Sequence, residues 1–200
     1  MTSFDHLQKR TFDLVFSISG LCLLWPIILI TIPVARYSTG ASGIYKQRRI
    51  GRYGSSFEVY KLRTMKENSN NVSTVTVADD PRITRCGAFF RKTKIDELPQ
   101  LWNVVRGEMS VVGPRPDVEG FADVLTGDAR RILQLRPGIT GPATIKYRHE
   151  EKILAEAIDP ERYNSEVVYP DKIRLNLDYI DAWSLLTDIR LILITVRLLP

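Results

Sequence analysis

The sequence contains few of the residues from which metal centres and disulfide frameworks are built. Its 200 residues include two cysteines, Cys22 and Cys86, and two histidines, His6 and His149. Neither histidine has a cysteine or another histidine near it, so a zinc site is not expected. Two cysteines, one of them inside an apolar run, do not form a disulfide framework. This scarcity favours a reducing, cytosolic environment.

Glycine-rich phosphate loops, repeats and low-complexity tracts are also missing. No Walker or Rossmann glycine pattern occurs. A length of 200 residues with 44 % hydrophobic and 26 % charged positions predicts one folded domain. The formal net charge of +5 favours an anionic partner, such as a nucleotide, an acidic lipid headgroup or nucleic acid. Nucleic acid is disfavoured, because the basic residues alternate with acids and Pro/Gly turns instead of forming one stripe.

An apolar run near the N-terminus predicts a membrane segment. Residues 14–35 carry no charge over 22 positions, and roughly 20 such residues suffice to cross a bilayer. A buried helix of a soluble protein rarely runs so long without a polar face. A cleaved signal peptide is disfavoured, since the run is too long and lacks a small-residue cleavage site.

The flanks of this run favour a re-entrant helix, one that enters the membrane and returns on the same side. Basic residues mark the cytoplasmic side of membrane segments, and here both flanks are basic. Pro26 stands near the middle of the run, where it removes a helical hydrogen bond and favours a break. A kinked spanning helix remains the alternative. The flanking basic residues are Lys9, Arg10, Arg36, Lys46, Arg48, Arg49 and Arg52.

The rest of the chain predicts an α+β, mostly helical domain held against the membrane. We divide the chain into the membrane helix at 1–36 and a cytosolic domain at 37–200. The C-terminal stretch 183–200 is apolar but interrupted by charges, which suits an interfacial helix and a core helix equally well.

Local patterns predict the elements between these two ends. Residues 45–65 read as a basic turn and a short strand, and 66–81 as an exposed, mobile loop. Residues 82–108 read as two helical pieces ending near Gly107. Further helices are expected at 119–125 and 128–134, and a rigid turn at 136–143.

Two adjacent acids, Asp96 and Glu97, allow a structural and a chemical interpretation. Thr93 with Asp96 three residues later fits a variant capping box, in which Thr93 starts a helix. Alternatively, neighbouring helical residues point about 100° apart, so one carboxylate can attack a phosphorus while the other holds a metal or a proton. The local stretch favours the cap and does not exclude the chemistry.

A carboxylate that attacks a phosphate needs cations to neutralise the phosphate oxygens. Arg115 stands between Pro114 and Pro116, which restrict its backbone, and rigidly held arginines suit bidentate phosphate binding. Each candidate taken singly is more typical of a solvated surface charge. The other candidate cations are Lys61, Arg63, Arg91 and Arg136.

Several blocks of the sequence resemble the bacterial sugar transferase family, the monotopic phosphoglycosyl transferases. The likeness runs from about residue 5 to the C-terminus. It rests on "DPRITRCGAFFRKTKIDELPQLWNVVRGEMSVVGPRP" (80–116), "RPGITG" (136–141) and "LNLDYIDAWSLLTDIRLI" (175–192), with "YKQRRIG" and "YKLRTM" before them.

The resemblance implies a reaction. Such enzymes move a sugar-1-phosphate from a UDP-sugar to polyprenyl (undecaprenyl) phosphate, giving polyprenyl-diphospho-sugar and UMP. This is the first membrane step of bacterial glycoconjugate, O-antigen or polysaccharide synthesis, at the cytoplasmic face of the inner membrane. The resemblance also implies a Mg²⁺ cofactor and the re-entrant helix around Pro26. Members commonly have serine before this proline, whereas Trp25 stands here.

The resemblance also implies residue roles. Asp96 would be the nucleophile that forms a covalent phospho-sugar intermediate, and Glu97 would hold magnesium or manage a proton. Arg115 and Arg91 would meet the substrate phosphates, and Lys61 and Asp178 match other family positions. Residues 142–172 diverge from the family pattern, which suggests this segment for the selection of the sugar.

Two rival interpretations stay open. One is a non-catalytic, membrane-anchored module that binds anionic lipid or nucleotide through its basic surface, without need of either acid. The other is a transferase in which the lipid phosphate attacks the donor directly. The sequence specifies neither the sugar nor the oligomeric state.

Overall fold

The computed structural model describes residues 1–66 and 80–198. The loop predicted at 66–81 falls almost wholly on residues 67–79, which lie outside the described residues.

The first element, α1, is a 37-residue helix from Ser3 to Thr39. The Thr2 side chain accepts a hydrogen bond from the Asp5 amide, and the Asp5 carboxylate accepts one from the Thr2 amide. A capping box therefore starts the helix. Gly40, with φ of 74°, ends it. The helix is long and apolar enough to serve as a membrane anchor. The helix assignment continues through Pro26, and the expected kink and return at that proline stay predictions.

A β-hairpin follows α1. Strand β1 (Ile44–Ile50) pairs antiparallel with β2 (Ser56–Leu62), with Ile44 opposite Leu62. The sequence predicted a basic turn followed by one strand. The basic stretch is instead strand β1, and the predicted strand is β2. A two-stranded sheet leaves much of its surface in solvent, so charged side chains are compatible with a strand there.

Two short helices and a turn come next, as the sequence predicted. Helix α2 (Arg85–Thr93) leads through a 3₁₀ turn (Ile95–Glu97) into α3 (Gln100–Arg106). Helix α3 ends at Gly107, whose φ of 84° is costly for residues with a Cβ.

A second small sheet crosses the middle of the domain. Strand β3 (Ser110–Val112) runs parallel to β4 (Gly138–Thr140). The stretch predicted as a rigid turn thus contains a strand. The helices expected at 119–125 and 128–134 are 3₁₀ segments, Ala122–Val124 and Gly127–Gln134.

The C-terminal third is helical. Helix α7 (Tyr169–Asp181) is preceded by a π-helical turn at Asn164–Val168 and followed by α8 (Leu185–Arg197). Three shorter helices come before them: α4 (Pro142–Lys146), α5 (Glu150–Ala155) and α6 (Pro160–Tyr163). The described residues are mostly helical with little sheet, as expected for the α+β class.

The core lies around β3, α3 and α7. Its most buried members include Val104, Met109 and Val112, each fully shielded from solvent. A second, smaller cluster joins Ala35 of α1 to Leu62 and Phe90. The C-terminal part of α1 is therefore part of the folded domain.

Helix α8 shows features of both interpretations given to it. Asp188 is fully buried, and its carboxylate accepts hydrogen bonds from Lys9 Nζ at 2.6 Å and Tyr179 Oη at 2.5 Å. Leu186 and Leu193 are exposed on the same helix. One side of α8 thus holds the N-terminal part of α1, and the other is an apolar surface that an interfacial position would cover.

Candidate active site

Asp96 and Glu97 occupy the 3₁₀ turn between α2 and α3. The predicted Thr93 cap is wrong: the Thr93 hydroxyl donates to the Phe89 carbonyl at 2.8 Å, one turn back in α2. Lys94 has φ of 59°, a left-handed conformation that ends α2 and makes Thr93 its last residue. The two acids therefore stand at a bend, and the cap does not explain them.

Asp96 is a buried carboxylate with an unsatisfied oxygen. Its exposed fraction is 8 %, and its Oδ1 atom has no hydrogen-bond partner among the described residues. Burial, followed by the negative charge of Glu97, raises the pKa of Asp96 to about 6. A carboxylate with raised proton affinity and a bare oxygen is suited to bond with an electrophile or a cation.

Glu97 has the opposite surroundings. Its Oε1 atom lies 3.1 Å from Lys61 Nζ and 3.6 Å from an Arg115 nitrogen. Burial alone would raise its pKa, but the charges of Lys61 and Arg115 lower the pKa of Glu97 to about 2. Glu97 is thus held as an anion throughout the neutral range, whereas Asp96 begins to bind a proton as the pH falls toward 6.

Lys61 reaches the turn from β2, and α2 packs closely on the chain that follows this strand. A Cβ atom added at Gly87 would lie 2.1 Å from the Thr64 carbonyl oxygen, so only glycine permits this approach. Arg91 strengthens the contact, since its Nε donates to Thr64 Oγ1 at 3.0 Å. Its positive charge also lowers the pKa of Asp96, but no hydrogen bond joins the two side chains.

Arg115 is presented by a segment that lies directly against β4. A Cβ atom at Gly138 would lie 2.1 Å from the Gly113 nitrogen, and one at Gly141 would lie 2.3 Å from the Gly113 oxygen. The glycines of the "RPGITG" stretch therefore allow the Arg115 segment to approach closely. This close contact fixes the arginine that faces Glu97.

Two predicted site residues are not brought to the acidic pair. Arg136 donates from Nε to the Gly107 carbonyl at 2.7 Å, at the opposite end of α3. Asp178 is exposed on α7, and its charge acts on Arg174, one turn away. Their contact with substrate stays a prediction, and no contact between either residue and the acidic pair supports it.

The sequence did not indicate a further acid beside Arg115. Asp117 follows Arg115 by two residues, and its Oδ2 accepts a hydrogen bond from Tyr169 Oη at 3.2 Å. Burial raises the pKa of Asp117, while the charge of Lys172 acts against this. The carboxylate is visible in "GPRPD", but its partners come from α7, some fifty residues later. No local pattern could have joined them.

The donor set suits a magnesium ion in part. No group of three or more Asp, Glu, His and Cys side chains that could hold a metal occurs in the described ranges 1–66 and 80–198. Mg²⁺ is commonly bound through one or two carboxylates together with substrate phosphates and waters. Asp96 and Glu97 supply two such carboxylates, and Asp96 Oδ1 lacks a partner, so the pair fits this ion.

Comparison with known proteins identifies close relatives. A family model described as "Bacterial sugar transferase" matches residues 4–199. The chain is 35 % identical to the exopolysaccharide production protein ExoY of Sinorhizobium fredii, covering 95 % of this chain and 84 % of that protein.

Two longer relatives share the same region. The UDP-galactose-lipid carrier transferase of Erwinia amylovora is 39 % identical over 96 % of this chain and 40 % of its own length. The UDP-glucose:undecaprenyl-phosphate glucose-1-phosphate transferase of Escherichia coli is 33 % identical over 98 % of this chain and 41 % of its own length.

The opposite pKa shifts of Asp96 and Glu97 predict that neutralising each acid changes the stability of the fold in opposite directions. The pKa of Asp96 in the folded protein, about 6, exceeds its ordinary value of 3.8. Ionised Asp96 therefore lowers the free energy of unfolding, and the full effect is reached above pH 6. We expect Asp96→Asn to raise the free energy of unfolding by about 3 kcal/mol at pH 7.5, at about 1.4 kcal/mol per pKa unit. The gain should shrink as the pH falls from 6 to 4.

Glu97→Gln is the matched control, measured by thermal unfolding of the same detergent-solubilised chain. Its lowered pKa means that ionised Glu97 stabilises the fold above its ordinary pKa of 4.5, so this variant should be less stable at pH 7.5. A destabilised Asp96→Asn variant at pH 7.5 would contradict the proposed difference between the two carboxylates.

Proposed function

Because this chain belongs to the bacterial sugar transferase family and is a transferase, we propose that it moves a sugar-1-phosphate from a UDP-sugar to polyprenyl phosphate. The products are polyprenyl-diphospho-sugar and UMP. The names of relatives include a UDP-sugar donor and undecaprenyl phosphate as acceptor, which supports both substrate classes. The name of a third relative, an exopolysaccharide production protein, supports a role in polysaccharide or glycoconjugate assembly.

The observation that carries this proposal is the difference between the two adjacent carboxylates. Asp96 has an unpartnered oxygen and a pKa raised to about 6, while Glu97 lies between Lys61 and Arg115 with a pKa lowered to about 2. A module that only bound anions through its basic surface would have no use for a buried acid pair. The pair therefore favours the enzyme over the non-catalytic module.

In the first step, an Asp96 carboxylate oxygen attacks the β-phosphorus of the UDP-sugar. A bond forms between this oxygen and the phosphorus. The bond from the phosphorus to the oxygen that bridges the two phosphates breaks, and the electron pair leaves with UMP. Lys61 and Arg115, which contact Glu97, are near enough to the turn to neutralise phosphate oxygens as well.

In the second step, an oxygen of the polyprenyl phosphate attacks the phosphorus held on Asp96. The acyl-phosphate bond breaks, its electron pair returns to the carboxylate, and the polyprenyl-diphospho-sugar is released. No net proton is needed in either step when Asp96 starts ionised, and its pKa of about 6 leaves it mostly ionised at pH 7.

Glu97 acts in this scheme as a fixed anion. A group with a pKa of about 2 does not exchange protons near neutrality, which supports a role in holding charge over a role in managing a proton. Asp96 and Glu97 would hold a magnesium ion, whose charge would offset that of the transferring phosphates. Glu97 also fixes the positions of Lys61 and Arg115.

The test is incubation of the full chain with a panel of UDP-sugars, polyprenyl phosphate and magnesium, scored for UMP. We expect UMP with at least one donor, and a phospho-sugar adduct on Asp96 by mass spectrometry when the acceptor is withheld. Asp96→Asn should lose both signals, by at least a thousandfold for turnover, since its amide is not a nucleophile.

Glu156→Gln removes an exposed acid elsewhere and should keep full activity. UMP release without any adduct, needing the acceptor from the start, would favour direct attack by the lipid phosphate. Full activity in Asp96→Asn would overturn the role of Asp96.

We also propose that α1 is re-entrant and attached to the cytoplasmic face of the membrane. What supports this is that both of its ends pack on one domain. Near its start, Arg10 donates to the carbonyls of Val104 and Val105, while near its end Ala35 is buried with Leu62. A straight spanning helix would carry its two ends to opposite sides of the bilayer. Several large apolar side chains between them are exposed, including Leu23, Trp25, Leu29 and Ile30.

The membrane topology can be tested with single cysteines in a background that replaces Cys22 and Cys86 by serine. Ser3→Cys and Ser42→Cys mark the two exposed ends of α1. We expect a membrane-impermeant maleimide to label both in inverted inner-membrane vesicles and neither in intact spheroplasts. Labelling of Ser3→Cys from the outer side would contradict the re-entrant arrangement.

A further inference from the structure

A group of basic side chains that the proposed reaction does not use surrounds a small depression at the C-terminal end of α3. We call this group the basic pocket. Its lining joins the start of α1, the turn after β1 and the segment before β4. The residues are His6, Lys9, Arg10, Asp13, Arg52, Ser110, Leu135 and Arg136.

Three arginines of the basic pocket are anchored by carbonyl groups and not by acids. Arg136 and Arg52 each use only Nε, toward the carbonyls of Gly107 and Gln134 at 2.7 Å. The terminal nitrogens of both have no hydrogen-bond partner among the described residues. Arg10 holds two carbonyls at the end of α3. No ion pair to any of the three occurs in residues 1–66 and 80–198.

The acids nearby compensate only part of this positive charge. Asp188 pairs with Lys9 at 2.6 Å, and Asp13 accepts hydrogen bonds from Ser110 Oγ and the Val111 amide. The four cations Lys9, Arg10, Arg52 and Arg136 thus face two acids. Burial, together with the charges of Arg52 and Arg10, lowers the pKa of Arg136. A bound anion would relieve this repulsion between the arginines.

The basic pocket is separate from the acidic pair. Asp96 and Glu97 precede the first residue of α3, whereas the pocket adjoins Gly107 at its other end. At about 1.5 Å of rise per residue, the ten steps along the chain from Glu97 to Gly107 place the two sites roughly 15 Å apart. A phosphate bound in the pocket is too far away to react with Asp96.

The surroundings of the basic pocket are of the kind expected at the level of lipid headgroups. The apolar run of α1 begins at residue 14, directly after Asp13. The segment of α1 that lines the pocket also carries or adjoins three exposed apolar side chains, Phe4, Leu7 and Val15. Tyr53 is 68 % exposed, and the Arg52 guanidinium lies 4.6 Å from its ring centre. Exposed aromatic rings beside arginines are typical of the membrane–water interface.

We propose that the basic pocket binds the phosphate of an anionic phospholipid headgroup, such as that of phosphatidylglycerol. The free nitrogens of Arg52 and Arg136 donate to the phosphate oxygens, and the lipid tails lie along the apolar surface of α1. The bound lipid supplies the missing anion and holds the start of α1 at the membrane surface. The site rests on the proposed membrane attachment of α1, and it does not depend on the transfer reaction.

The test is native mass spectrometry of the full detergent-purified chain titrated with phosphatidylglycerol or phosphatidylcholine. We expect one molecule of phosphatidylglycerol to bind about tenfold or more tightly than phosphatidylcholine. Arg52→Gln should weaken the binding of phosphatidylglycerol about tenfold, because a hydrogen bond to a charged group is lost. Arg52→Lys should restore part of it, because lysine keeps the charge without the fork geometry.

Arg48→Gln is the matched control, since it removes an arginine of the same hairpin that lies beside Ser56 and Glu119, outside the pocket. Equal losses in Arg48→Gln and Arg52→Gln would show attraction by overall charge and overturn the site. Equal binding of both phospholipids would also overturn it. Displacement of phosphatidylglycerol by polyprenyl phosphate, with a raised acceptor KM in Arg52→Gln, would reassign the pocket to the acceptor and overturn the proposal as stated.

Discussion

The candidate site depends on one electrostatic constraint: two neighbouring carboxylates are buried together, and only Glu97 forms ion pairs with nearby cations. Lys61 and Arg115 both contact Glu97, so Glu97 keeps its charge at any neutral pH. Asp96 is buried and lies beside the negative charge of Glu97, and both raise its proton affinity. Its Oδ1 atom has no hydrogen-bond partner among the described residues. Two neighbouring carboxyl groups thereby acquire different proton affinities from their surroundings.

The fold also holds in place the turn that carries the two acids. Helix α3 begins directly after the acidic pair, and Arg10 and Arg136 hold the carbonyl groups at its far end. Leu101 on α3 packs against α1 so closely that a Cβ at Gly20 would lie 3.2 Å from it. The turn that carries Asp96 and Glu97 is therefore fixed to α1 through α3. The proposed reaction, whose acceptor is a membrane lipid, needs this spatial connection between Asp96 and the apolar helix.

Much of the candidate site could be predicted from the sequence, chiefly because its blocks resemble those of a known family. The Asp96–Glu97 pair and the proline-flanked Arg115 are visible in short stretches, and the structure brings them together with Lys61. The left-handed Lys94 could not be predicted, since lysine has no preference for that conformation and distant packing imposes it. For the same reason Thr93 was misplaced as a cap. Arg136 resembled its fellow candidates in sequence, and only the tertiary arrangement separates it from the acidic pair.

The central claim is the unequal ionisation of two adjacent carboxylates, and it can be measured directly by ¹³C NMR. The chain would be labelled at the side-chain carboxyl carbons of aspartate and glutamate, with Asp96→Asn and Glu97→Gln used to assign the two signals. We expect Asp96 to titrate with a pKa near 6 and Glu97 to remain ionised to the lowest pH at which the protein stays folded. Two signals that titrate together near pH 4 would contradict it.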